Sequence, residues 1–323
     1  MASTEAAPTA APAPAPSSAV TPRVLIAIVV TLLAWASAFV VIRGTAVDIG
    51  GGGLALARLV VGSLLLGLVL IGRRWVRMTR REWLPVIGFG VLWFGGYNVA
   101  LNIAEHTLDA GTTAMIVNIG PILLALGAGL FLREGLPKWV LIGAGVAMVG
   151  VILIGIGSGA EVEQGAPFNV GILWCLLAAI LYAAGVLLQK PALRRLPAAQ
   201  VTWLGCVIGM VACLPFTGQL ITDLQSAPPT AIAGAIYLGA VPTALAFSTW
   251  AYALSRMPAS QLGISTYLVP PIAIIIALLA FGDIPAPIAI VGGVICLVGV
   301  AITRRRSAPR TLPVTPEREN LAE

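Results

Sequence analysis

The chain has 323 residues, of which 59% are hydrophobic and only 10% charged, where a soluble domain carries about 25% charged residues. That deficit, spread over long apolar runs, excludes an ordinary soluble domain and places the chain in a bilayer. The net charge of +6 does not indicate nucleic acid as a partner, because the basic residues sit in short clusters between the apolar runs.

Residues 1–22 are rich in Ala and Pro and lack the apolar stretch of a signal peptide, so they read as a disordered tail. A bilayer core about 30 Å thick needs roughly 20 apolar residues per helix. Ten such spans follow, at 24–43, 54–72, 84–105, 111–132, 139–157, 169–189, 201–217, 231–254, 260–281 and 286–303. Residues 304–323 form a second tail that starts Arg304-Arg305-Arg306. Cys175, Cys206, Cys213 and Cys296 all fall inside apolar runs and form no C-x-x-C, which reads as buried apolar packing. No metal site and no cofactor is expected.

Orientation follows from Lys and Arg. Arg73, Arg74, Arg77, Arg80 and Arg81 follow span two, Arg133 and Lys138 follow span four, Lys190, Arg194 and Arg195 follow span six, and Arg256 follows span eight. These loops share one side with both tails, and the opposite loops hold only Arg43. The expectation is a multi-pass protein of the inner or plasma membrane with both termini cytoplasmic and the loop 158–168 outside.

The chain also reads as one unit written twice. At an offset of 149, Pro121 meets Pro270, Glu134 meets Asp283, Asn118 meets Tyr267, Gly143 meets Gly292 and Gly150 meets Gly299. At 147, Trp35 meets Tyr182 and Arg43 meets Lys190. Five spans per half is an odd number, so the halves, 23–157 and 169–303, should be inverted relative to each other. The expected fold is therefore all-α and polytopic, with ten transmembrane helices as two inverted five-helix repeats, a recurring design of secondary transporters. Pro121, Pro270 and Pro271 should kink spans four and nine and act as hinges. Glu134 and Asp283 should mark the ends of those spans.

Ten spans as 5+5, the basic loop after span two, Arg58 near the start of that span, the proline-then-acid pattern of spans four and nine and the Gly-rich spans five and ten resemble the EamA family of the drug/metabolite transporter superfamily. The resemblance covers residues 24–303. It departs just before the second-half proline, where members often carry glutamate and this chain has Val269. What it implies is a proton- or gradient-driven exporter of small metabolites, amino-acid-like or amphipathic, acting as a monomer or homodimer with its cavity between the halves.

Polar and aromatic side chains on the spans supply the candidate binding residues: Trp35 and Ser37 on span one, Asn98 and Asn102 on one face of span three, Asn118 on span four, Tyr182 and Gln189 on span six, Trp250 on span eight and Tyr267 on span nine. Arg58 either snorkels to the interface or faces the cavity, where it would attract a carboxylate or phosphate. The alternatives are a channel, a non-transporting membrane protein, or an intramembrane enzyme. An enzyme is disfavoured because His106 is the only histidine, and it stands at a helix end.

Overall fold

The computed structural model describes residues 21–131, 138–157, 170–257, 259–282 and 286–303. Glu134, Asp283, the loop 158–168 and both tails lie outside the described residues. Every regular element among the described residues is helical, as a lipid environment demands of backbone that must satisfy its own hydrogen bonds.

Helix α1 (Pro22–Thr45) begins on a proline, whose missing N–H costs nothing in a first turn. Helix α2 (Gly51–Leu70) follows a short turn. Span three is α3 (Arg80–Phe89), a π-helical stretch over Gly90–Tyr97, and α4 (Asn98–Ala104). Span four is two helices, α5 (Ala110–Val117) and α6 (Gly120–Phe131), and α7 (Lys138–Gly157) comes next. In the second half α8 (Val170–Ala192) is continuous, while α9 (Ala198–Ala212) gives way at a short 3-10 turn to α10 (Thr217–Ser226), with a 50° bend between them. Helix α11 (Pro229–Leu238), a π-helical stretch over Gly239–Leu245 and α12 (Ala246–Leu254) make one long run. Helix α13 (Ala259–Ser265), a 3-10 turn over Thr266–Leu268 and α14 (Val269–Phe281) make another, and α15 (Pro287–Thr303) packs along α7.

Among the described residues, five runs are long and apolar enough to cross a membrane, Pro22–Thr45, Gly51–Leu70, Arg80–Ala104, Val170–Ala192 and Pro229–Leu254, and the bent pair Ala198–Ala212 and Leu214–Ser226 makes a sixth if it is one span. Their outer faces expose residues such as Leu25, Leu64, Leu84 and Leu173, the apolar surface that lipid covers. The chain is an all-helical polytopic membrane protein.

Three sequence expectations change in detail. Span seven does not end at 217, since it bends at Cys213–Leu214 and continues to Ser226. In spans four and nine the regular α-helix is interrupted, at Asn118–Ile119 and at Thr266–Leu268. Finally, the prolines do not sit inside bent helices: Pro121 is the second residue of α6, and Pro270 and Pro271 open α14. A residue without an N–H is tolerated where a helix starts, so each proline begins a new helix just after the break.

Helix α2 is tied to the second half along its length. At one end the Gly50 N–H donates to Asp223 Oδ2 (2.9 Å) and the Gly53 N–H to Gln219 Oε1 (3.0 Å), so α10 caps the amino terminus of α2. Midway, Trp203 Nε1 donates to the Ser63 carbonyl (3.1 Å) and Ser63 Oγ to Cys206 Sγ (3.3 Å). Beyond the other end, Gln200 exchanges two hydrogen bonds with the Val76 backbone, and Arg195 pairs with Glu82.

Gly205 and Gly209 on α9 press against the π-helical stretch of span three. A β-carbon on Gly209 would lie 2.4 Å from Phe94 Cβ and 2.9 Å from the Gly90 carbonyl oxygen. Gly209→Ala is therefore expected to destabilise the fold by about 1–3 kcal/mol through overpacking. Thermal unfolding in detergent checks this, and an unchanged midpoint would show that the contact is slack.

Candidate functional site: a cavity between two broken helices

Two kinds of irregular backbone shape the middle of the molecule. The π-helical stretches begin at Gly90 and Gly239, 149 positions apart. A π turn widens the helix and frees carbonyls from their usual partners. Asn98 Nδ2 takes up the Phe94 carbonyl at 2.7 Å, and Thr243 Oγ1 takes up that of Leu238 at 2.8 Å. The helix breaks are spaced alike: Asn118–Ile119 parts α5 from α6, and Thr266–Leu268 parts α13 from α14. The two breaks touch, because Asn118 Nδ2 donates to the Thr266 carbonyl at 3.1 Å.

These features surround an open cavity whose non-atom space, solvent at its mouth included, is about 600 Å³. Its wall takes Trp35 from α1, Trp93 and Tyr97 from the π-helical stretch of span three, Tyr182 from α8 and Phe247 from α12. Trp35, Trp93 and Tyr182 stand near mid-length of their helices, so the cavity lies deep in the bundle. Asn118 and Thr266 bring the helix breaks to the wall, and Pro121 and Val269 stand just beyond them.

The rings form one interlocked set. Trp93 lies edge-on to Trp35 (6.1 Å between centroids), Tyr182 (5.2 Å), Phe247 (4.9 Å) and Trp250 (5.9 Å). Each such pair contributes about 0.5–1.5 kcal/mol beyond simple burial. Glycines make room for the rings. A β-carbon on Gly185 would stand 2.5 Å from Trp93 Cβ, and one on Gly120 would stand 2.5 Å from Tyr182 Cδ1.

Arg58 is the one charged side chain in the wall. Only 3% of its surface is exposed, so it does not snorkel to an interface. Its Nε donates to Thr243 Oγ1 at 3.1 Å, while Nη1 is buried without any hydrogen-bond partner. The π-helical stretch of one half thus fixes an arginine of the other, since the same Thr243 hydroxyl donates to Leu238 and accepts from Arg58. Glu105, at the end of α4, is fully buried, and neither carboxylate oxygen has a hydrogen-bond partner. It stands one turn beyond Leu101 and is not part of the wall. His106, in the following turn, is held below the usual imidazole range, first by burial and then by the nearby Arg43, so it carries no charge at neutral pH.

Of the residues singled out from sequence, Trp35, Arg58, Asn118, Tyr182 and the hinge candidate Pro121 line the cavity. The others do not. Ser37 bonds Tyr237 Oη at 2.8 Å. Asn98 serves the π turn, and Asn102 Nδ2 donates to the Gly51 carbonyl at 3.1 Å, holding α4 against α2. Gln189 is fully buried away from the wall, and its amide has no partner among the described residues. Trp250 packs behind Trp35, centroids 4.9 Å apart, and Tyr267 packs against the core. Pro270 and Pro271 follow Val269 without lining the cavity. Sequence reasoning missed Trp93, Tyr97, Phe247 and Thr266, and no spacing rule separates these from the rest of their apolar runs.

Membrane-length helices packed around a deep, ring-lined cavity define a polytopic membrane protein with a central site. Residues 22–156 and again 169–305 match the EamA-like transporter family, and the chain belongs to that family. A probable terminal-alkyne amino-acid exporter of Streptantibioticus cattleyicolor is 33% identical over 285 residues, 88% of this chain and 94% of that protein. The uncharacterized transporter YdfC of Bacillus subtilis is 32% identical over 275 residues, 83% of this chain and 87% of that one. A probable amino-acid metabolite efflux pump of Salmonella typhimurium is 23% identical over 230 residues, 67% and 75% of the two chains. One solved crystal structure superimposes with a TM-score of 0.60 at 16% identity, covering 87% of this chain and 96% of that one; at that identity the likeness concerns the fold alone.

Proposed function

We propose that this chain is a secondary-active exporter of small amino-acid-like or amphipathic metabolites, working by alternating access between two inverted five-helix repeats. The observation that carries the reading is the cavity itself. It is bounded by two broken helices that meet through Asn118 and Thr266, and broken helices at a central site are a transporter device. The equal 149-residue spacing of the π-helical stretches and the doubled family match support the repeat. The names of the relatives from Streptantibioticus cattleyicolor and Salmonella typhimurium support amino-acid-like cargo. Trp35 and Tyr182 hold the apolar part of the cargo, Asn118 adds directional hydrogen bonding, and Arg58 supplies charge.

Counterflow in proteoliposomes tests the reading. Vesicles loaded with unlabelled cargo should accumulate the labelled form transiently and saturably. Flux that rises linearly with concentration would favour a channel instead.

The basic-residue bias puts both termini in the cytoplasm. In intact cells an impermeant thiol reagent is expected to label Ser158→Cys and to spare Ser307→Cys. The native Cys175, Cys206 and Cys213 are buried and give little background. Labelling at position 307 would reverse the orientation.

A further inference from the structure

Among the described residues the wall of the cavity contains one cation and no anion: Arg58 is present, and no Asp or Glu lines it. Among the described residues Arg58 takes part in no ion pair and its Nη1 is buried without a partner; the buried acid Glu105, outside the wall, acts on it only through space. A guanidinium in that state is a prepared site for a planar anion, which can take two parallel N–H bonds from it.

The same geometry is hostile to a cationic group nearby. In an α-amino acid the ammonium and the carboxylate share one carbon, so a carboxylate docked on Arg58 forces the ammonium within a few ångströms of the guanidinium. Like charges at that range repel strongly away from bulk water. No carboxylate in the wall offsets the repulsion. The acceptor that the wall does leave without a partner, Asn118 Oδ1, is a neutral amide oxygen and offsets less than a carboxylate would.

We propose that the cavity recognises its cargo by a single carboxylate on Arg58 and leaves the amino group unread, so that des-amino and N-acylated carboxylates with an apolar tail are cargo alongside amino acids. This rests on the cavity being the transport site.

The test uses the full chain in lipid vesicles at neutral pH with five probes of one shape: phenylalanine, phenylpropanoate, N-acetylphenylalanine, phenylalaninamide and phenethylamine. Competition for counterflow should rank phenylpropanoate and N-acetylphenylalanine equal to or tighter than phenylalanine. The amide and the amine should be weaker by at least about tenfold, the scale of one charge-assisted contact. Arg58→Ala should abolish the preference of acid over amide, and Arg58→Lys should retain part of it. If Arg58→Ala does not fold, as judged by size exclusion, the ranking in the unaltered chain decides. Phenethylamine or the amide competing as well as the acids would overturn the carboxylate site and leave transport standing. Phenylalanine competing tenfold better than phenylpropanoate would show that the amino group is read and would overturn the proposal on that point. Binding of the acids without movement across the vesicle would overturn transport and leave the carboxylate site standing.

Discussion

Trp35→Ala is expected to weaken apparent affinity for apolar-tailed cargo by about 10–100-fold while leaving most of the protein folded. Trp35 is the tryptophan of the cavity wall that keeps a free surface. It is partly exposed, whereas Trp93 and Trp250 are each 1% exposed. Losing its indole removes contact area from the cargo, and an aromatic side chain gives up roughly 1.5–3 kcal/mol of burial. The fold also loses ring pairs with Trp93, Phe247 and Trp250, but Trp93 keeps its contacts with Phe89, Tyr182, Phe247 and Trp250. Trp93→Ala should behave differently. It takes the hub out of the cluster, at about 3–5 kcal/mol, and should appear first as lost folded protein. Counterflow affinity and the monodisperse fraction in detergent, measured on both variants, separate the two roles. Equal losses of both quantities in Trp35→Ala would make Trp35 a packing residue, and the cargo would then sit elsewhere.

Thr243→Val should be the more damaging of two nearly isosteric changes at that position. Valine keeps the shape and removes the hydroxyl, which leaves the Leu238 carbonyl without its donor and Arg58 Nε without its acceptor. Each buried group left unsatisfied costs about 1–3 kcal/mol. The expected result is a clear drop in thermal stability together with weaker binding of carboxylate cargo, because Arg58 is no longer held. Thr243→Ser restores the hydroxyl and should recover most of both. A valine variant with unaltered affinity would show that Arg58 needs no positioning.

The sequence exposed the frame of this site more readily than its wall. Apolar runs and basic loops place the helices, since lipid imposes length and charge rules on every span. Trp35, Tyr182 and Asn118 were reachable because repeat arithmetic pairs them with one another or with Tyr267. Asn98 and Asn102 do share a helical face, as their spacing requires. That face, however, looks toward α2 and the freed carbonyls of a π turn. Nothing in the residue types marks a π turn, so a polar group serving backbone cannot be told from one serving cargo. Phe247 was beyond reach for a related reason: the 149-residue offset sets it opposite Asn98, and no symmetry of residue type flags it. The prolines were read as hinges of kinked spans, and each stands in the first turn of a helix. Their place just after each break, and not at a bend, follows from an amide that lacks its hydrogen and fits the first turn of a new helix.

The bridge from Asn118 to the Thr266 carbonyl sets an energy scale for opening the cavity. One neutral hydrogen bond of this kind is worth about 1 kcal/mol net, a factor of about five in an equilibrium. The seam between α2 and α9 holds more such contacts, through Ser63, Trp203 and Cys206. Under the proposed alternating access, parting of the bundle would begin where the interrupted helices meet, and a cargo that binds one arrangement better than the other by about 1 kcal/mol would tip that contact. The chain is in this sense a balance with a fixed post and a light latch, in which the load itself supplies the weight that moves the beam.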